Sequence, residues 1–226
     1  MNKEYKIIDL THTLHSGIPG WDGNCGYKID VSLDYNDCIP PDIFRKHDIS
    51  TPCGVGTHID APAHVVPSGR TVEELLVEEL VCDCVVIDVS SVADEKYIVN
   101  PDIILKFEEK YGEIKPNTFV IFYTGWDKYW DTPEKYINNH IFPSIHEDTA
   151  KLLVERNIAG IGIDTLSADT GINGYPVHHI ILGDDKYLVE NIANAKELPQ
   201  TGAKVFVLPI KIKDGTEAPI RLIALI

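Results

Sequence analysis

Apolar residues along this chain fall in short runs, punctuated by proline, glycine and acidic residues. Stretches rich in β-branched and aromatic side chains read as strands. These are "YKIIDLTHTL" (5–14), "GYKIDVSLDY" (26–35), "ELVCDCVVIDVS" (79–90), "TFVIFYTGW" (118–126), "IAGIGID" (158–164), "KVFVLPIKI" (204–212) and "IRLIALI" (220–226). Several are almost continuously apolar, the pattern of strands covered on both faces.

Helical signals are fewer. Asn100-Pro101 reads as an N-cap with proline at the first helical position, opening "PDIILKFEEKYG" and stopping at Gly112. Ser144 to Glu147 has capping-box spacing before "HEDTAKLLVERN", and Thr71 to Glu74 repeats it before a short helix around "VEELL". No repeat, low-complexity tract or long linker interrupts the chain. The pattern predicts one α/β domain over residues 1–226, with a β-rich core and few helices. The order of strands does not follow from pattern.

At 44% hydrophobic and 24% charged residues, the composition is that of an ordinary globular protein. A net charge of −15 argues against nucleic acid or an anionic membrane as partner, because both need clustered Lys and Arg. No apolar run approaches the roughly 18 residues that span a bilayer. "MNKEYKIIDL" lacks the apolar core of a secretory leader. Five cysteines without a CxxC pair read as reduced thiols, so a cytoplasmic location is expected.

The chemistry concentrates in "TPCGVGTHIDAPAHVVPS" (51–68). In an extended chain side chains alternate, so His58, Asp60 and His64 can share one side. Gly54 and Gly56 allow close backbone approach to an ion or ligand, and Pro62 ends the extended run. Imidazole and carboxylate together suit Zn²⁺, Mn²⁺ or a related divalent ion. By itself the stretch reads equally well as a turn in which the histidines and Asp60 only satisfy the backbone. "GYPVHHIILGDDKYLVENIANAKELP" adds His178, His179 and Glu190. Glu190 follows the apolar "YLV", and a buried carboxylate is costly unless paired or metal-bound. His179 points away from its neighbour, toward solvent.

Together these residues resemble the metal-dependent cyclase family of amidohydrolases, which includes bacterial-type kynurenine formamidases and isatin hydrolases. Its signature is H-x-G-T-H-x-D-x-P-x-H, and residues 54–64, "GVGTHIDAPAH", match every named position but the first. The similarity continues in "IIDLTHTLHSGIPGW", "GIDTLSAD", "PVHHIIL" with "VEN", and "TGAKVFVLPIKI". The resemblance implies a swivelling β/β/α-like core, a small-molecule substrate, and a homo-oligomer (dimer or tetramer). It also implies a divalent ion, zinc first and manganese second. By position, His58 would bind a first metal, Asp60 would bridge two, and His178 with Glu190 would complete the second. His64 matches the family's acid/base and Glu190 belongs with it to the catalytic set. Trp21 falls where the family lines its substrate pocket, and Trp126, ending a strand, is a second lining candidate. Trp130 is expected in surface or interface packing. Asp164 and Asp169 either orient a ligand histidine or cap the turn after their strand.

Gly54 stands where the signature has its first histidine, so the first metal loses a ligand and one ion is expected rather than two. Cys53 should face away from His58 and Asp60 in an extended chain. His47 could fold back from the preceding segment. The leading reading is a metal-dependent hydrolase of a small amide or cyclic amide, arylformamidase-like, in which activated water attacks the carbonyl and His64 moves the proton. A non-catalytic metal- or ligand-binding module with a degenerate site is the alternative. A Cys53–His64 hydrolase is weaker, because Cys53 has no basic neighbour or helix N-terminus to stabilise a thiolate.

Overall fold

The computed structural model describes residues 5–172 and 174–226; part of the stretch read above for a secretory leader lies outside the described residues. In chain order the strands are β1 (Ile7–Asp9), β2 (Lys28–Leu33), β3 (Lys46–Ser50), β4 (His58–Asp60), β5 (Val81–Asp88) and β6 (Ile98–Val99). They continue with β7 (Phe119–Tyr123), β8 (Ser144–Ile145), β9 (Gly160–Ile163), β10 (Tyr187–Glu190), β11 (Thr201–Pro209) and β12 (Glu217–Leu225). The α-helices are α1 (Val77–Leu80), α2 (Pro101–Tyr111), α3 (Pro133–Ile137), α4 (Glu147–Glu155) and α5 (Pro176–Gly183). None of the described helices is long and apolar enough to cross a membrane.

Strands β12, β11, β5, β7, β9, β10 and β4 hydrogen-bond in that order, and β4 pairs back onto β12. A seven-stranded mixed barrel results, the expected α/β architecture with a β-rich core and few helices. The pairs β5–β7, β7–β9 and β9–β10 are parallel, and the other barrel pairs are antiparallel. Parallel neighbours need a long crossover. Helices α2, α4 and α5 each lie in one of the three crossovers. β1 joins β12 at Ile223–Leu225, beyond the stretch where β4 pairs with it.

Alternation along one strand divides the core. Phe119 and Ile121 of β7 pack with Ile59, Val189, Val205 and Leu222 from the other barrel strands. Val120 and Phe122 face Ile104, Leu153 and Ile181 of the crossover helices. The central strands are therefore buried on both faces, which explains their unbroken apolar runs. Gly160 and Gly162 of β9 are set by close approach. A Cβ on Gly160 would stand 2.5 Å from the Tyr187 carbonyl oxygen, and one on Gly162 would stand 2.8 Å from the Phe119 ring. Their absence lets the Phe119 and Tyr187 rings stack at 5.6 Å.

Some local expectations need correction. Ser144 does not cap α4: its N–H donates to the Tyr97 carbonyl as part of β8, and His146 is the N-cap, its Nδ1 accepting from Asp148 N–H at 3.1 Å. Asn100 precedes α2 as expected, but its side chain donates back to the Ile98 carbonyl. Thr71 and Glu74 do form a capping box, on a 3₁₀ turn of three residues. Of "YKIIDLTHTL" only Ile7–Asp9 is strand.

Candidate metal centre

β4 is a three-residue strand that places His58 and Asp60 on one side and Ile59 on the other, in the barrel core. Its two neighbours bring further acids to the same end. Glu190, closing β10, pairs in register with His58. Glu217, opening β12, pairs with Asp60. His178 comes from the first turn of α5 and completes the group.

Both imidazoles are oriented by partners behind them. His58 Nδ1 lies 2.9 Å from the Gly56 carbonyl oxygen, which can only accept, so Nδ1 carries the hydrogen. His178 Nδ1 lies 2.7 Å from Asp169 Oδ2. Asp169 also accepts the N–H groups of Val177 and His178, tying the ring and the start of α5 to one carboxylate. Each ring therefore presents Nε2 to the acids. His58 Nε2 stands 3.5 Å from Asp60 and 3.6 Å from Glu190; His178 Nε2 stands 3.2 Å from Glu190 and 3.6 Å from Asp60.

Asp60 tests whether a cation fits. It is 1% exposed, and neither carboxylate oxygen has a hydrogen-bond partner. An unsolvated, unpaired carboxylate is too costly to persist without a positive charge beside it. With Nδ1 of His58 spoken for, a neutral imidazole would point its Nε2 lone pair at those oxygens. A proton or a cation must intervene. Burial opposes charge on His58, but Asp60 and Glu190 outweigh it and raise its pKa above the ordinary value. Burial likewise opposes charge on His178, and Asp169, Asp60 and Glu190 carry its pKa well upward. Burial would raise the Asp60 carboxyl, yet His178 and His58 hold it below the usual range. The residues present thus fit a divalent ion. Two donor groups meet at Asp60, namely His58, Asp60 and Glu217, and Asp60, His178 and Glu190, with the ligand atoms of each group within 4.8 Å of one another.

These residues line a cavity of about 280 Å³ whose wall includes Trp21, Gly54, His64 and Tyr175. His64 sits in the 3₁₀ turn after β4, with Nδ1 3.5 Å from Glu217 Oε2, and that contact raises its pKa despite partial burial. Trp21 stacks on His140 at 4.1 Å and leans toward Tyr175. His179 is exposed as expected, at the cavity mouth.

Trp126 requires correction as a lining residue. It is buried away from the cavity wall, and its indole N–H donates to the Tyr136 carbonyl at 2.9 Å. The glycine before it turns the chain into a short 3₁₀ helix that packs the ring into the core. Trp130 is also buried rather than superficial, stacked on His12 at 3.8 Å. Asp169 takes the first of the two roles offered, and Asp164 holds the turn after β7 rather than the one after its own strand. Asp169 meets His178. Asp164 accepts from Thr124 and Trp126 instead, and burial pushes its pKa up to about 6. Among the described residues, neither donor group contains Cys53 or His47; His47 lies on the exposed β2–β3 ribbon. Sequence reasoning missed Glu217. It is one of 35 acidic residues, and only its register opposite Asp60 sets it apart.

A closed α/β barrel with two inward histidines and three carboxylates beneath a small cavity defines a candidate divalent-metal centre. The sequence profile described as "Putative cyclase" matches residues 8–170, and the chain belongs to that family. Isatin hydrolase from Roseibium aggregatum is 31% identical over 186 residues, covering 76% of this chain and 71% of that protein. Kynurenine formamidase from Bacillus cereus is 24% identical over 223 residues, 98% of each. The solved structure of isatin hydrolase A from Labrenzia aggregata, bound to benzyl benzoate, matches with a TM-score of 0.88 at 32% identity, covering 98% of this chain and 94% of that one. The named relatives are hydrolases of amide bonds.

Proposed function

We propose that this protein is a metal-dependent hydrolase of a small amide or cyclic amide, of the arylformamidase or isatin hydrolase kind. The supporting observation is Asp60, a buried carboxylate without hydrogen-bond partners, facing two oriented histidines and Glu190. Divalent metal held among His58, Asp60, His178 and Glu190 would supply Lewis acidity and a water of lowered pKa, with zinc suiting the N/O donors and manganese also compatible.

The chain's own groups supply the rest. His64 stands at the cavity wall with Nδ1 turned toward Glu217, leaving Nε2 to deliver a proton to the leaving nitrogen. Glu190 stays fixed because its Oε1 accepts the Ala168 N–H at 3.1 Å. Trp21 and Tyr175 offer aromatic surface for a flat substrate. The cavity, about 280 Å³, suits a compact ring rather than a polymer. The reading includes a cytoplasmic homo-oligomer, for which the β2–β3 ribbon leaves Ile29, Val31 and Ile49 exposed. Gly54 alone argues for a degenerate binding module, but the space beside that glycine holds Glu217 rather than being empty.

Metal analysis of the purified protein, followed by hydrolysis of N-formylkynurenine, isatin and simple lactones with and without chelator, tests the proposal. Bound metal and chelator-sensitive turnover are expected. Absence of metal overturns it, and metal without turnover favours the binding module. His64→Ala should lower turnover by about 10²–10⁴-fold, the range for a lost general acid or base. A loss below about tenfold removes that role.

A further inference from the structure

Gly54 and Glu217 occupy one place from two directions. A Cβ built on Gly54 would stand 1.9 Å from Glu217 Oε1 and 2.9 Å from its Cδ, while lying 3.5 Å from His58 Nε2. Any side chain at residue 54 would therefore require the Glu217 carboxylate to move from this position. That carboxylate is part of the donor group with His58 and Asp60, brought there by the β4–β12 pairing that closes the barrel. The unpartnered oxygens of buried Asp60 point independently to a cation at this place.

We propose that Glu217 supplies the metal ligand absent at Gly54. The centre then holds two divalent ions that share Asp60, one with His58 and Glu217 and one with His178 and Glu190. This rests on the metal-centre reading above. The exchange changes the chemistry as well as the address of the donor, because a carboxylate replaces the imidazole of the signature. A third acid offsets more cation charge and favours harder ions. It also couples the centre to His64, since the other Glu217 oxygen stands 3.5 Å from His64 Nδ1.

Metal-stripped protein titrated with Mn²⁺ or Zn²⁺ alone, followed by calorimetry and by metal analysis after dialysis, reads the number of ions directly. Wild type should bind two. Glu217→Gln, nearly isosteric, should weaken one ion by about a hundredfold or more, since even partners behind a ligand are worth 10–100-fold. The other ion should remain. Gly54→His alone should not strengthen binding, because the new side chain and the Glu217 carboxylate compete for the same place. Gly54→His combined with Glu217→Ala should restore the second ion, which keeps the test informative if either single variant folds poorly. Glu217→Gln that retains the wild-type number and affinity of ions overturns the assignment while leaving the metal centre standing. Wild type that binds no ion overturns the metal centre itself.

Discussion

Asp169 offers the sharpest test of how this site is held together. Its carboxylate lies 2.7 Å from His178 Nδ1 and accepts two backbone N–H groups at the start of α5, at 3.1 and 3.2 Å. Asp169→Asn keeps the shape but leaves one acceptor oxygen where two are in use, Oδ1 by Val177 N–H and Oδ2 by His178. It removes the negative charge behind the imidazole and one hydrogen-bond acceptor with it. A hydrogen bond to a charged group contributes about 1.5–3 kcal/mol. Both residues are 5% exposed, so solvent screens little of it. Every 1.4 kcal/mol is tenfold in affinity, so Mn²⁺ or Zn²⁺ should bind about 10–100-fold more weakly, the range found for partners that orient ligand histidines. Calorimetric titration of the metal-stripped variant measures this, and thermal unfolding without metal provides the control. A dissociation constant within about threefold of wild type would refute the reasoning. So would a loss of stability without metal as large as the loss of binding, which would make the pair structural.

Two further predictions concern stability. Tyr136 is fully buried and its hydroxyl lies 2.9 Å from both the Asp164 carbonyl and Asn191 Oδ1. Tyr136→Phe strips partners from buried acceptors and should cost about 1–3 kcal/mol in denaturant unfolding, whereas an unchanged midpoint contradicts the network. Arg156 forks onto Glu108 through contacts of 2.8 and 3.0 Å and holds that carboxyl below its usual pKa. A depressed acid adds stability above its unfolded pKa of about 4.3 and loses it as pH falls through the lower folded value. Arg156→Ala should therefore cost about 1–3 kcal/mol at neutral pH, with the gap to wild type closing in acid. A gap that stays constant on acidification would rule out the ion pair as its cause.

Features governed by local geometry were legible in the chain. Two-residue spacing places His58 and Asp60 on one face of an extended segment, as β4 confirms. The apolar "YLV" before Glu190 marked an acid carried inward, and Glu190 is buried. Helix α2 starts at Pro101 and ends before Gly112, where proline geometry and the missing glycine side chain act within one turn. Expectations that relied on sequence proximity alone fared worse. Trp126 is expected to end a strand, but β7 stops at Tyr123 and the turn at Gly125 carries the ring into the core on a 3₁₀ helix.

Strand periodicity, burial of apolar runs and the orienting spacing of His58 and Asp60 are consequences of neighbours along the chain, so they can be read from residue order. Closure of the barrel is a pairing between residues more than 150 positions apart, Glu217 with Asp60, and no local pattern encodes its register. That register decides which one of many acids stands beside Gly54, and whether the glycine is a gap or a space already taken. A ligand set is a property of convergence in three dimensions. The missing histidine could be seen in the chain, and only the fold shows the carboxylate in its place.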